Sequence, residues 1–232
     1  MARVHSASPL LCSSSPAAAV CTSEKSKVFT LWLKSLVLNG RGCTVYDSDG
    51  LIVYRVDNYD SRCRDNVCLM DLRGNIVVNI LKKKLAFGKW EGYRWSGRKQ
   101  DQRAWFKVAR PCSGIFQRSR RPSSSPCEFE SDAGRAMRYR IDDDGGCRAG
   151  KRACCRIVDA GTGHVVAEVK RKVTAGGVAL GEDVLALVVE PDVDHSLIMG
   201  LVLVYGLMNH TIWHSDLRVI LMLRMVLHIV QS

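Results

Sequence analysis

Two runs of three basic residues are the part of this sequence best suited to bind a charged ligand. Lys82–Lys84 and Lys170–Lys172 each follow an apolar segment rich in valine and isoleucine. Because side chains alternate between the two faces of a strand, the first and third base of each run should share one face, which we expect to point outward. The middle base, Lys83 or Arg171, must then reach the rim of the sheet or pair with an acid.

The chain around the first run is also strongly basic. Between residues 82 and 110 there are ten lysines and arginines but only two acids, Glu91 and Asp101. Such a patch would attract an anionic surface by about 1 kcal/mol per base. We therefore predict an anion-binding site; the alternative is a solvated strand face with no dedicated partner. The candidate binding residues are Lys82, Lys84, Lys89, Arg94, Lys107, Lys170 and Lys172.

The overall composition favours an anionic binding partner. The 232 residues carry a formal net charge of +11 at pH 7. This excess favours phospholipid headgroups, nucleic acid or acidic proteins as partners. Aromatic residues make up only 7% of the chain, which weighs against single-stranded nucleic acid, because its bases need stacking platforms.

Other chemistries find no support in the spacing of residues. The sequence has no G-x-G-x-x-G, no Walker motif and no G-x-S-x-G. The run Asp142–Asp144 lacks the glutamate that a calcium loop needs at its twelfth position. The ten cysteines include no C-x-x-C pair, so we expect reduced, passive thiols rather than a zinc site. We predict no catalytic residues, metal or cofactor, and no enzymatic activity.

Three similar segments carry the basic runs. They read VYDSDGLIVYRV (45–56), LMDLRGNIVVNI (69–80) and IVDAGTGHVVAEV (157–169), and the last two lead directly into the basic runs. Each has an aspartate, then a glycine, then a β-branched segment, which is typical of a hairpin turn followed by a strand. The predicted turns are Asp47/Gly50, Asp71/Gly74 and Asp159/Gly163.

The segment Ser196–Met208 (SLIMGLVLVYGLM) is apolar on every side. A helix of this kind must be enclosed by protein or by lipid. At about 1.5 Å per residue it spans roughly 20 Å, short of the ~30 Å core of a bilayer. We therefore expect no transmembrane span, and predict a β-barrel closed around a buried helix.

The two ends of the chain differ from its middle. Residues 1–27 are rich in serine and alanine and are predicted to be a disordered tail, with a transit peptide as the alternative. Residues 111–126 are predicted to be a variable surface loop. Residues 209–232 form an atypical apolar extension. It is interpreted as an alternative end of the gene model, or else as an amphipathic helix on a membrane surface.

The residues between these ends resemble the plant LURP-one-related family, which belongs with the Tubby C-terminal-like domains. The resemblance covers roughly residues 28–208. It is carried by LWLKSLVLNGRGCTVYDSDGLIVYRVDNY (31–59), LMDLRGNIVVNILKKKL (69–85), VVAEVKRK (165–172) and the apolar helix with its lead-in (191–208). It implies a mainly β fold: a closed antiparallel barrel of about twelve strands around a central hydrophobic C-terminal helix. It brings no set of catalytic residues and implies a link with plant defence signalling.

Three hypotheses about function follow. The leading one is a non-enzymatic binding module that engages phosphoinositides or another anionic surface in defence or stress signalling, with protein partners still to be identified. The alternative is a nucleic-acid- or transcription-associated regulator tethered to a membrane in the manner of tubby proteins, and the third is an enzyme on a barrel scaffold. The expected location is cytoplasmic, peripheral to a membrane or nuclear.

Overall fold

A computed structural model describes residues 25–33, 41–58, 65–84, 88–96, 99–110, 124–143, 154–181 and 183–209. This part of the chain forms thirteen strands and one helix. Their bounds are β1 (Lys27–Trp32), β2 (Arg41–Tyr46), β3 (Ile52–Asn58), β4 (Asn66–Asp71), β5 (Ile76–Lys82), β6 (Lys89–Ser96), β7 (Lys99–Gln100), β8 (Phe106–Ala109), β9 (Ser124–Glu130), β10 (Ala136–Asp143), β11 (Cys155–Asp159), β12 (Val165–Arg171), β13 (Val184–Val189) and α1 (His195–Met208).

The three predicted hairpin turns are present. Gly50, Gly74 and Gly163 have φ angles of 78°, 86° and 75°, a region that side chains other than glycine rarely adopt. The aspartate of each turn accepts hydrogen bonds from backbone N–H groups of the same turn, at 2.8 Å from Leu51 in the first and 2.8 Å from Asn75 in the second. In the turn that joins β9 to β10, Gly134 also has a positive φ of 71°, and the Ser131 hydroxyl accepts from the Arg135 N–H in place of an aspartate.

Twelve of the strands close into an antiparallel barrel. The order around the barrel is β1, β2, β3, β4, β5, β6, β8, β9, β10, β11, β12 and β13, and β13 pairs again with β1. The short strand β7 pairs only with the end of β6 and lies outside the ring. The predicted fold class is thus confirmed.

Helix α1 fills the interior of the barrel. All of its residues from Leu197 to Met208 are buried, and they form one core cluster with the inward side chains of the strands. Asp194 caps the helix by accepting hydrogen bonds from the backbone N–H groups of Ser196 and Leu197. The enclosed apolar helix that the sequence predicted is therefore confirmed. No helix in the described ranges is long and apolar enough to cross a membrane.

The antiparallel order gives the barrel two chemically different ends. The turns β2–β3, β4–β5, β9–β10 and β11–β12 lie at one end, called here the turn end. Strands β5 and β12 both finish at the other end, called here the basic end. The C-terminus of α1 also lies there, because Arg110, just after β8, donates a hydrogen bond to the Met208 carbonyl at 2.7 Å.

Several predictions fall on other parts of the chain. Residues 1–24, most of the predicted loop 111–126 and all of 210–232 lie outside the described residues. Within that loop, Ser124–Pro126 belong to strand β9. The predicted division of the chain into tail, barrel and extension stays a prediction.

Candidate anion-binding site

The seven candidate binding residues occupy four separate places on the barrel. Lys82, Lys84 and Lys89 lie at the basic end, where β5 connects to β6. Lys170 and Lys172 lie at the same end, on and just after β12. Lys107 lies on the outer wall in β8, and Arg94 lies near the turn end in β6.

The first group is part of a larger set of bases, called here the β5–β6 cluster. The chain reverses at Gly88, where the Lys83 N–H donates to the Lys89 carbonyl at 2.9 Å and the Arg110 N–H donates to the Gly88 carbonyl at 3.0 Å. These bonds hold three chain segments side by side. The cluster that they assemble consists of Lys82, Lys83, Lys84, Lys89 and Arg110.

Within this cluster the bases face differently from the sequence prediction. Lys82 shares its face with the core residues Val78 and Ile80, so it lies at the rim of the interior rather than on the outer wall. Its Nζ lies 5.9 Å from the centre of the Trp90 ring and 3.4 Å from Asp65 Oδ1. The difference arises because the alternation of β5 is set by the apolar side chains that pack on α1.

Lys83 therefore points outward and pairs with an acid, as a middle base was expected to do. Its Nζ lies 2.8 Å from Glu91 Oε2 and 3.3 Å from the Tyr93 hydroxyl, which itself donates to Glu91 at 2.5 Å. The hydrogen bond to Glu91 raises the pKa of Lys83. Partial burial acts to raise the pKa of Glu91, but the hydrogen bonds from Lys83 and Tyr93 outweigh it and the pKa is lowered. Lys83 is thus held in a structural pair, whereas Lys84 and Lys89 are exposed and form no ion pair with a described residue.

The second basic run follows the predicted alternation. Lys170 points outward and lies 3.2 Å from Glu168 Oε2. Lys172 donates a hydrogen bond to the Thr30 hydroxyl of β1. Arg171 shares its face with the core residues Ala167 and Val169 and is exposed at the rim of the barrel. It forms no ion pair with a described residue.

The two basic runs do not form one patch on the outer wall. Strands β5 and β12 are six places apart in the ring of twelve, whichever way the ring is followed. Their side chains therefore lie on opposite sides of the barrel and cannot form a single patch on its wall. Both runs nevertheless finish at the same end of the barrel.

The charges of the described residues are segregated between the two ends. At the basic end the bases are Lys82, Lys83, Lys84, Lys89, Arg110, Arg156, Lys170, Arg171 and Lys172, whereas the acids are Asp65, Asp142, Asp143, Glu168 and Asp183. At the turn end the acids outnumber the bases, since each Asp–Gly turn adds a carboxylate and the lead-in to α1 adds Glu190, Asp192 and Asp194. The barrel therefore has a positive end and a negative end.

Lys107 belongs to a row of alternating charges across the outer wall. It lies opposite Glu91 of β6 and opposite Glu128 of β9, and Glu128 lies opposite Arg138 of β10. Lys107 also helps to lower the pKa of Glu91. Lys107 therefore lies between two carboxylates of the neighbouring strands, which offset part of its charge.

The substitution Lys107→Glu should destabilise the barrel by about 1–2 kcal/mol at low salt, because it places three carboxylates side by side across three strands. The cost should fall when salt screens these exposed charges. Urea unfolding at low and high ionic strength measures both effects. Lys99→Glu is the matched control, because Lys99 of β7 lies opposite the uncharged Ser96 of β6. A Lys107→Glu chain as stable as the wild type at low salt would contradict the charge row.

Arg94 contacts the cap of the helix. Its guanidinium lies 2.5 Å from Asp132 and 3.1 Å from the helix cap Asp194, and it stacks on the Trp105 ring at 3.9 Å. Together with Arg110 at the opposite end, it ties α1 to the wall at both of its termini. The sequence could not separate this role from binding, because Asp194 is 100 residues away in the chain.

The described cysteines and histidines form no group that could hold a metal ion with neighbouring acids. Among the described residues no disulfide joins Cys43, Cys68, Cys127, Cys154 or Cys155. Burial raises the pKa of Cys43 to about 12 and also raises that of Cys127. These two thiols therefore stay protonated at neutral pH and act as small apolar core residues.

Comparisons with known proteins agree on one family. A family model described as LURP-one-related matches residues 27–206. Protein LURP-one-related 11 of Arabidopsis thaliana is 40% identical over 190 residues, which covers 78% of this chain and 77% of that protein. Protein LURP-one-related 3 of the same plant is 41% identical over 197 residues, covering 80% and 81%. An X-ray structure of an Arabidopsis thaliana protein shares the fold with a TM-score of 0.51 at 17% identity, covering 80% of this chain and 92% of that one.

Proposed function

The chain belongs to the LURP-one-related family, and from this premise we propose that it is a non-enzymatic binding module whose basic end takes a polyanionic ligand, the phosphorylated headgroup of a phosphoinositide. The proposal includes a role in plant defence or stress signalling, where such a module would bring its partners to an anionic surface. The observation that carries it is the segregation of charge between the two ends of the barrel.

The end of a barrel is a better binding surface than its wall in this protein. On the wall, Lys83 pairs with Glu91, and Lys107 lies opposite the carboxylates Glu91 and Glu128 of the neighbouring strands. At the basic end, Lys84, Lys89 and Arg171 form no ion pair with a described residue, so their charges are available to a ligand. They stand on both sides of the barrel mouth, and a flat anionic surface can contact both sides at once.

The charge of the turn end favours one orientation. A molecule with a positive and a negative end is turned by the field of an anionic surface, so that its positive end approaches first. Each base near the surface contributes about 1 kcal/mol. Three available bases would therefore contribute about 3 kcal/mol, which corresponds to roughly a hundredfold in affinity.

Co-sedimentation with vesicles tests this proposal. Phosphatidylcholine vesicles that contain phosphatidylinositol 4,5-bisphosphate should bind the chain, and pure phosphatidylcholine vesicles should not. The variant Lys84→Glu/Lys89→Glu/Arg171→Glu should bind the phosphoinositide vesicles more than about a hundredfold more weakly, because three attractive charges are lost and replaced by repulsive ones.

The matched control reverses three exposed bases at the turn end, in Arg73→Glu/Lys99→Glu/Arg135→Glu. It changes the net charge by the same amount. Equal losses of vesicle affinity in both variants would therefore show that only net charge matters, and would contradict a binding site at the basic end. Negligible binding of the wild type to both kinds of vesicle would remove the lipid ligand. Retention of duplex DNA without vesicle binding would instead favour the nucleic-acid hypothesis.

A further inference from the structure

One hairpin at the basic end exposes apolar side chains to solvent. Of the large hydrophobic residues that are exposed in the described part of the chain, three belong to the connection between β12 and β13: Val173 at 55%, Val178 at 66% and Leu180 at 36%. They alternate with alanine, glycine and threonine, and residues 173–181 contain no charged side chain. Ordered apolar side chains that face water are unfavourable unless a partner covers them.

The backbone of this hairpin forms several hydrogen bonds of its own. The Thr174 N–H donates to the Val178 carbonyl at 2.8 Å, and the Leu180 N–H donates to the Lys172 carbonyl at 2.9 Å. The Thr174 hydroxyl also accepts from the Val178 N–H at 3.2 Å. These bonds order the hairpin, so its exposed apolar side chains are held in a fixed arrangement.

The hairpin extends beyond the rim of the barrel. Regular pairing of β12 with β13 ends at Arg171 opposite Leu185, and Val173 pairs with Ala179 further along the hairpin. Two or three residues beyond the rim correspond to roughly 7–10 Å at about 3.3 Å per residue. This reach matches the depth of about 5–10 Å to which interfacial segments enter the boundary between headgroups and acyl chains.

Basic residues stand directly behind the apolar tip. Lys170, Arg171 and Lys172 precede Val173 in the chain, and the β5–β6 cluster lies at the same end of the barrel. An apolar tip backed by bases is complementary to a bilayer with anionic headgroups, where the bases reach the phosphates and the tip reaches the acyl chains. A soluble anion would satisfy the bases but would leave the apolar side chains uncovered.

We propose that the β12–β13 hairpin, through Val173, Val178 and Leu180, inserts into the interfacial region of an anionic lipid bilayer while the basic end contacts its headgroups. This inference rests on the proposed function and specifies its ligand as a membrane surface rather than a free phosphorylated molecule.

The test compares two triple variants on the same phosphoinositide vesicles. Val173→Ser/Val178→Ser/Leu180→Ser removes the apolar tip and leaves every charge in place. Val28→Ser/Leu51→Ser/Leu72→Ser is the matched control, because these three residues are also exposed, at 44%, 66% and 63%, but lie at the turn end. Since all six side chains are exposed, both variants should keep the thermal stability of the wild type.

The hairpin variant should bind the vesicles at least tenfold more weakly, whereas the control variant should bind like the wild type. Inositol hexakisphosphate, a soluble probe of the bases alone, should bind all three chains equally. If the hairpin variant bound the vesicles as tightly as the wild type, insertion would be overturned and the electrostatic proposal would stand. Insertion would also be overturned if the hairpin variant lost affinity for inositol hexakisphosphate as much as for the vesicles. Failure of the wild type to bind the vesicles would overturn both proposals.

Discussion

Leu203→Asp is expected to prevent the barrel from folding. Leu203 lies in the middle of α1 and has no solvent exposure, because strands surround the helix on every side. A carboxylate at this position would contact neither water nor a hydrogen-bond partner. Burial would force it to become protonated, and a neutral acid buried without a hydrogen bond still costs several kcal/mol. We expect a loss of more than about 4 kcal/mol, comparable with the whole free energy of unfolding of many domains.

The control for this prediction is the same substitution on the surface. Leu51 is 66% exposed in the β2–β3 turn, and Leu51→Asp should leave the stability of the chain nearly unchanged. Circular dichroism and urea unfolding of both variants provide the comparison. A Leu203→Asp chain that unfolds at the urea concentration of the wild type would contradict the enclosed helix, and with it the architecture of the barrel.

Gly92→Ala is expected to cost about 3 kcal/mol, because the added methyl group has no room. A Cβ atom at Gly92 would lie 2.1 Å from Cζ of Phe106, which is directly opposite in β8. The ring also packs closely on the helix, since a Cβ atom at Gly200 would lie only 2.8 Å from Cε1 of the same ring. Phe106 is thus held between a strand glycine and a helix glycine. For a domain of this size, the melting temperature should fall by roughly 6–12 °C.

A double-mutant cycle identifies the cause of this cost. Phe106→Leu removes the ring atoms that the new methyl group would strike, so Gly92→Ala should cost much less in the Phe106→Leu background. Gly176→Ala serves as the control, because its Cβ atom would approach no atom closer than 3.9 Å. Additive costs of Gly92→Ala and Phe106→Leu would show that the contact with the ring is not responsible.

These two predictions concern the same feature, the close fit between the helix and the wall. The helix is held by apolar packing along its length and by Arg94 and Arg110 at its two ends. Those contacts also decide which bases are available for binding. Arg94 is used to hold the helix cap, whereas Lys84, Lys89 and Arg171 stand outside the packed region and form no ion pair with a described residue.

Local chemistry was enough to predict three hairpins and the buried helix of this fold. An aspartate, a glycine and a β-branched run specify a hairpin through interactions within a few residues, and all three predicted turns were confirmed. The helix could be predicted for a similar reason. Thirteen residues without a polar face must be enclosed wherever they lie, and the β-rich remainder of the chain was the material available to enclose them.

The candidate site was only partly predictable. The two basic runs are visible in the sequence, and the repeat of turn, strand and basic run already implied that they occupy matching places. Whether those places share a wall or an end depends on how many strands separate β5 from β12 in the closed ring. That number follows from pairings between residues far apart in the chain, among them the closure of β5 on β6 and of β13 on β1.

Thus the amino-acid sequence by itself determined the hairpins, the buried helix, the positive charge and the family, because each depends on residue types or on neighbours in the chain. The tertiary structure alone decided which bases are neutralised and which are available. Ion pairs such as Lys83–Glu91 and Arg94–Asp194 form across strands, where distance in space is unrelated to distance in sequence. It also decided that the apolar hairpin and both basic runs lie at one end, since only the closed antiparallel ring brings them there.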